Sequence, residues 1–241
     1  MQRRAFLAGA ILGGVGIPTL GLGLAKAHGE DGTEADALPV RPLELPHDGV
    51  VQVAFVLGQH VNVIDTTGPW EVFQDAGAGT GGSSPFGLFT VAETTQPVEA
   101  TGGLTLVPHH DFASAPRPHV VVVPAHHPSS DEKEWLRRAA ERADVVMSVC
   151  TGAFVLGEAG LLDGRTATTH HEFFDEFESS FPSVTLVRGR RFVEDEGVAT
   201  AAGLTSGIDL ALRVVERYLG RPAAVATARY MEHESSRWRT A

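Results

Sequence analysis

The chain has a single cysteine, and its neighbours give that thiol a chemical use. Cys150 ends the apolar run Val145-Val146-Met147-Ser148-Val149 and precedes Thr151-Gly152-Ala153-Phe154-Val155-Leu156. The first segment reads as a short buried strand and the second as a helix start, so Cys150 falls on the sharp turn between them. A side chain on such a turn is pushed clear of the backbone, in the manner of a nucleophile elbow with sulfur in place of a serine hydroxyl. The N–H groups of the helix start favour a thiolate there. The competing reading is a small buried apolar residue, the ordinary use of an unpaired cysteine. His109-His110, His126-His127 and His170-His171 form three pairs of a common metal-ligand type. None has HExxH or Cys/His zinc spacing, so solvated loop histidines are expected and no metal site.

The elements around Cys150 alternate strand and helix. Val50–Leu57 is a buried strand ending at Gly58, and Asp65 is placed to cap the helix after it, with Pro69 in the first turn and Trp70, Val72 and Phe73 inside. Phe86–Ala92 is a second strand, and Pro97–Val107 forms a hairpin turning at Gly102-Gly103. Val120–Val123 is apolar on both faces, as a central parallel strand must be. Ser129 and Glu132 form a capping box for a helix over Asp131–Arg142. After the Cys150 strand and a helix ending near Gly160, Thr166–Thr169 is a strand, followed by a helix through Phe173, Phe174 and Phe177. Val184–Val187, Arg191–Glu194 and Val198–Ala201 are short strands, with Glu194-Asp195-Glu196-Gly197 at a hairpin tip. Leu204–Leu219 is an amphipathic helix with Ile208, Leu212, Val215 and Leu219 on one face, and a final helix starts at Pro222. This order implies a parallel sheet with helices on both sides and a ligand site beyond the carboxyl ends of the strands. Cys150, Asp65 and the segment after Val123 all fall at such ends.

The N-terminus has the pattern of an address. Arg3-Arg4-Ala5-Phe6-Leu7, a Gly-rich apolar stretch over Ala8–Leu24 and Ala25-Lys26-Ala27 read as a twin-arginine signal over residues 1–27. Gly and Pro18 make that stretch a poor membrane span, although an uncleaved anchor is the alternative. Residues 28–48 read as a flexible leader, and 49–241 as a single domain with a C-terminal helix. The expected location is periplasmic or otherwise extracytoplasmic, without stable membrane association after signal cleavage. A lone cysteine forms no internal disulfide, so packing must supply the stability. The net charge of −11 becomes roughly −14 without the signal, which opposes nucleic acid and anionic membranes as partners.

Three separated segments carry a family resemblance. Ser148-Val149-Cys150-Thr151-Gly152-Ala153-Phe154 with its continuation to His170 resembles the nucleophile region of the PfpI superfamily. Asp65-Thr66-Thr67-Gly68-Pro69-Trp70-Glu71-Val72 and Gly203-Leu204-Thr205-Ser206-Gly207-Ile208-Asp209-Leu210-Ala211-Leu212 resemble the isonitrile hydratase branch and the related sensor domains of AraC-type regulators. The resemblance spans roughly Val50–Gly220. It implies an α/β fold, a flavodoxin-like sandwich of the class I glutamine-amidotransferase-like kind, and a homodimer.

The resemblance also implies roles. Cys150 is the nucleophile, Asp65 the acid/base partner, and Thr151 a third catalytic position. Gly68, Ala125, His126, Gly152 and His170 are expected around a small-molecule substrate, with no cofactor. Threonine is no base at neutral pH, so Thr151, where protease-like members carry histidine, disfavours a peptidase. Its hydroxyl either orients substrate or satisfies a backbone group. His170 either tunes the thiolate or bonds within the core, and His171 lines the pocket. Relatives carry Pro-Gly-Gly where this chain has Pro124-Ala125-His126-His127, so the backbone donor there is lost, shifted or replaced by a histidine side chain. The readings left open are an exported cysteine-dependent hydratase or hydrolase, a non-catalytic binding or sensor domain, and a redox or carbonyl-stress protein using reversible thiolate oxidation. The chain ends about twenty residues after Gly220, too short for a DNA-binding module.

Overall fold

The structure, a computed structural model, describes residues 41–77 and 84–239; the twin-arginine segment 1–27 and residues 28–40 of the leader lie outside them. In chain order the elements are β1 (Val51–Val56), α1 (Val63–Gln74), β2 (Phe86–Ala92), β3 (Val98–Glu99), β4 (Thr105–Leu106), β5 (His110–Asp111) and β6 (Val120–Val123). Then come α2 (Ser130–Ala140), β7 (Val145–Val149), α3 (Gly152–Glu158), β8 (Thr166–Ala167), α4 (Phe174–Ser180) and β9 (Thr185–Leu186). The chain continues with β10 (Phe192–Asp195), β11 (Val198–Ala201), α5 (Ser206–Leu219) and α6 (Arg221–Tyr230).

Seven strands form one sheet in the order β10-β11-β7-β6-β1-β2-β5. Every pairing in it is parallel except the β10–β11 hairpin. Alternate side chains of the valine-rich strands enter two cores. Val53, Phe55, Val122, Met147 and Val149 pack with residues of α1, α5 and α6 on one face. Ala54, Val56, Val121, Val123 and Val146 pack with Trp135, Leu136, Val155, Leu156 and Phe177 of α2, α3 and α4 on the other. This is the flavodoxin-like, glutamine-amidotransferase-like sandwich that the resemblance implied. Among the described residues no helix is long and apolar enough to cross a membrane.

Strand order reverses at β1, whose two neighbours are β6 and β2. Loops that leave the carboxyl ends of β1 and β6 therefore diverge and open a crevice between them. α1 starts just beyond one of these ends and Ala125 lies just beyond the other. The nucleophile turn follows the next strand, β7.

Several local expectations change. Asn62, not Asp65, caps α1, its Oδ1 accepting from Ile64 and Asp65 N–H, so the Asp65 carboxyl is free to point elsewhere. Pro69 consequently lies inside the helix, beyond its first turn. The capping box of α2 is half made: Ser129 accepts from Glu132 N–H, but the Glu132 carboxylate turns to His126 instead of closing back on the cap. The strand expected over Thr166–Thr169 is limited to β8 and pairs with β9 in a separate small sheet. α5 is buried nearly all round, because Leu210, Ala211 and Val214 face the core together with Leu212 and Val215. The final leader residues make contacts of their own: Leu43 N–H bonds to Arg217 O and Arg217 bonds back to Arg41 O.

Gly152 sets how closely α3 approaches the sheet. A Cβ built there would lie 2.2 Å from the Val123 carbonyl oxygen and 2.9 Å from that of Pro124. Both obstacles are backbone of a central strand and its exit, so nothing nearby gives way cheaply. Gly152→Ala is expected to cost about 1–3 kcal/mol or more, an overpacking penalty. A lowered urea midpoint at unchanged slope checks this; an unaltered midpoint would show that α3 slides freely.

Candidate active site

Cys150 occupies the left-handed backbone region at φ 60°. Its N–H donates to Ala201 O at 3.2 Å and Ala202 O at 2.9 Å, and its carbonyl accepts from the Thr169 hydroxyl at 3.0 Å. The thiol is buried. Around the sulfur stand the Thr151 N–H, the Leu204 N–H and the Thr151 hydroxyl, all of which favour the thiolate. Burial and the negative charge of Asp65 outweigh them and push the thiol up to about 11. The resting group is therefore a thiol, which corrects the expectation of a poised thiolate; the donors meet negative charge only when it develops.

Asp65 is fully buried in the first turn of α1. Burial raises its carboxyl from 3.8 to about 6, against the lowering effects of hydrogen bonds from Ala125 N–H and the Cys150 thiol. The Ala125 N–H reaches Oδ2 at 3.2 Å. Oδ1 is buried without a hydrogen bond of ordinary geometry. A carboxyl of this affinity in contact with a thiol can take a proton and return it near neutral pH.

The structure brings Cys150, Asp65 and Thr151 together, with Ala125 attached through Asp65. The Ala125 amide is therefore spent on the acid and not on a substrate. Ala125 O accepts from Asn62 N–H at 2.9 Å, which ties this residue to the α1 start at both ends. His126, expected beside the substrate, directs its ring to Glu132 and Pro124. Its side chain is fully buried, with Nε2 2.7 Å from Glu132 Oε1 and Nδ1 3.0 Å from Pro124 O. Gly152 serves close packing, and so does Gly68, whose added Cβ would lie 3.1 Å from Ile208 Cγ1.

His170 stacks on His171 with ring centroids 4.5 Å apart and accepts from Glu172 N–H through Nδ1. Both histidines line a cleft with Ala202, Gly203 and Leu204. Sequence reasoning gave no role to Leu204 or Thr169. Leu204 has φ 52° although it is not glycine, and no sequence signal marks such a residue. Thr169 stood beside the quoted histidine pair, but a hydroxyl reaching a carbonyl nineteen residues away shows only in three dimensions. Among the described residues no group of three or more His, Cys, Asp or Glu side chains is placed to hold a metal ion.

With this geometry in hand, the comparisons fall into one pattern. Residues 51–217 match the model of the DJ-1/PfpI family. An isonitrile hydratase from Pseudomonas putida is 32% identical over 190 residues, 76% of this chain and 78% of the relative. The HTH-type transcriptional regulator CdhR of Pseudomonas aeruginosa is 39% identical over 92 residues, which are 38% of this chain but only 27% of the regulator. A crystal structure of a THiJ/PfpI family protein from Pseudomonas syringae superposes with a TM-score of 0.69 at 24% identity, over 92% of this chain and 83% of that one.

The buried carboxyl makes stability depend on pH. The folded state keeps the Asp65 proton up to about pH 6, whereas the unfolded chain releases it near 3.8. Between these values the folded state binds more protons, so stability falls as pH rises through the window. The full cost above it is about 3 kcal/mol, at 1.36 kcal/mol per pH unit. Urea unfolding of the native chain should lose this stability relative to Asp65→Asn between about pH 4 and 7. Parallel curves for the two proteins would contradict a costly buried carboxylate.

Proposed function

The chain belongs to the DJ-1/PfpI family, and from that premise we propose that it is a cysteine-dependent hydratase of a small molecule, converting an isonitrile to the N-substituted formamide. One observation carries the reading: a buried carboxyl with its affinity raised to about 6 contacts the only thiol, on a left-handed turn. The homologous hydratase supplies the substrate class.

The chemistry balances with these groups alone. Asp65 accepts the thiol proton as sulfur bonds to the terminal isonitrile carbon, and that proton is then delivered to the same carbon, giving a thioimidate. Thr151 N–H, Leu204 N–H and the Thr151 hydroxyl stabilise sulfur while it carries charge. Water adds to the thioimidate carbon as Asp65 takes a proton from it. Collapse breaks the C–S bond and leaves the imidic acid, whose hydroxyl proton moves to nitrogen to give the formamide, and the departing sulfur recovers its proton from Asp65. Net, one water is consumed and the cysteine is regenerated.

A second reading is a non-catalytic small-molecule-binding or sensor domain, favoured by the match to a transcriptional regulator and by a thiol that is protonated at rest. A redox or carbonyl-stress role also requires thiolate, which here forms only as Asp65 takes the thiol proton. The proposal extends to export by the twin-arginine route and to a homodimer, and includes no nucleic-acid or membrane partner.

Formamide formation from a simple alkyl isonitrile, followed by NMR, tests the main reading. Cys150→Ala and Asp65→Asn are each expected to lose at least about 100-fold in kcat/KM, the usual span of acid–base and nucleophile losses. The native profile should bend near pH 6, where Asp65 titrates. Inactive but fully reduced native protein that still binds the isonitrile would favour the sensor.

A further inference from the structure

The peptide between Pro124 and Ala125 joins the acid of the site to a buried side chain that takes no part in the steps above. Its N–H donates to Asp65 Oδ2 at 3.2 Å, and its carbonyl oxygen lies 3.0 Å from His126 Nδ1. No peptide among the described residues is cis. The N–H and C=O of a trans peptide share one rigid plane and point in opposite directions. Holding the Pro124 oxygen therefore holds the Ala125 N–H on the acid.

A carbonyl oxygen only accepts, so His126 Nδ1 carries a proton. Nε2 lies 2.7 Å from Glu132 Oε1, a contact that needs one further proton between the two atoms. Glu132 thus sets the ring's orientation from its other side and leaves the Nδ1–H for Pro124 O. The two side chains are 0% and 4% exposed, so water does not replace either contact. Glu132 forgoes the return half of its capping box for the ring, although its own N–H is bonded to Ser129. Lys133 beside it is taken by Glu158, and His126 is the basic side chain within ion-pair distance of Glu132. Gly58 supplies the room. An added Cβ there would lie 2.3 Å from the ring's Cδ2, yet Gly58 has no positive φ, so the ring and not the backbone conformation requires glycine. At the other end, Ala125 N–H and the Cys150 thiol are the groups that favour the charged form of Asp65. Without the amide, the carboxylate would keep only the thiol.

We propose that His126, oriented by Glu132, is a positioning residue of the site: it fixes the peptide between Pro124 and Ala125 so that the Ala125 N–H stays on Asp65. The contacts run from Glu132 through the imidazole and one peptide to the acid, and hydrogen bonds in such a chain strengthen one another. The proposal deepens the hydratase reading and rests on it only for the role of Asp65 as proton acceptor.

Carboxyl 13C NMR of the full chain reads the titration of Asp65 directly, its signal identified by loss in Asp65→Asn. The native midpoint is expected near pH 6. Asparagine places its amide nitrogen where histidine has Nδ1, and glutamine places it where histidine has Nε2. His126→Asn is therefore expected to keep the Asp65 midpoint, while leaving Glu132 without its ring and lowering the urea midpoint. His126→Gln keeps Glu132 bonded but releases Pro124 O, and the Asp65 midpoint should rise by about one pH unit, the loss of one backbone donor to a carboxylate. Stability and proton affinity then move in different variants, which a merely structural role does not produce. An Asp65 midpoint that His126→Gln leaves in place, or that both substitutions move alike, overturns the proposal. If neither variant folds, 15N NMR of the native protein decides: a proton on His126 Nδ1 at about pH 7 is expected, and a bare Nδ1 overturns the assignment. Absence of isonitrile turnover alters none of these readouts, so failure of the hydratase reading is distinguishable from failure of this one.

Discussion

The left-handed backbone at Cys150 is the constraint on which the site depends. For a residue with a Cβ this conformation costs about 1–2 kcal/mol, and it persists only where the surroundings over-determine it. Here they do so from three sides. The Cys150 N–H is held by the exit of β11, its carbonyl by the Thr169 hydroxyl, and the next residue but one, Gly152, is pressed against the exit of β6. Parallel pairing of β7 with both β6 and β11 brings these three supports to one end of the sheet. Leu204 is left-handed as well, and this turns its N–H to the sulfur. Two strained residues thus meet at one atom.

The second cost is the buried Asp65. Its position follows from a division of labour at the start of α1: Asn62 does the capping, which frees the carboxyl to face the thiol. Only one backbone amide, that of Ala125, compensates the carboxylate, and Oδ1 lacks a well-formed hydrogen bond. A more generous set of donors would lower the affinity and make Asp65 a permanent anion. Such an anion would accept no proton at neutral pH, and its charge would hold the thiol protonated. The incomplete satisfaction of this carboxyl is what brings its affinity near neutrality, at a cost to stability.

The fold was legible because its signals are periodic: four consecutive valines for a doubly covered strand, a helix start after the cysteine, and a helix stripe through Ile208, Leu212 and Val215. Cys150, Asp65 and Thr151 were legible as a group because strands of a parallel sheet deliver their carboxyl ends to one edge. Charge states and donor directions were not. The helix start behind Cys150 argues for thiolate until burial is known, and burial is a property of the assembled core. Glu132 reads as a capping-box partner because local sequence is all that a capping pattern contains. Its carboxylate follows a contact with His126 that depends on how the loop after β6 folds.

That loop explains how the site does without the Gly-Gly that the resemblance led one to expect after Pro124. Neither Ala125 nor His126 has a positive φ, so no glycine is needed at either position. The loop is pinned instead by hydrogen bonds to its backbone and to the His126 ring. Asn62 and Asp65 hold Ala125, while Glu132 and Pro124 O hold a His126 ring that fills the space above Gly58, where an added Cβ would lie 2.3 Å from Cδ2. Fixing the loop in this way directs the Ala125 amide to the acid and away from the sulfur. The donors left for charge developing at sulfur are those of Thr151 and Leu204, the second of which lies between β11 and α5. Charge developing at the thiol is therefore met by Thr151 and Leu204, and the β6 exit acts as a rigid wall whose Ala125 amide helps to set the proton affinity of Asp65.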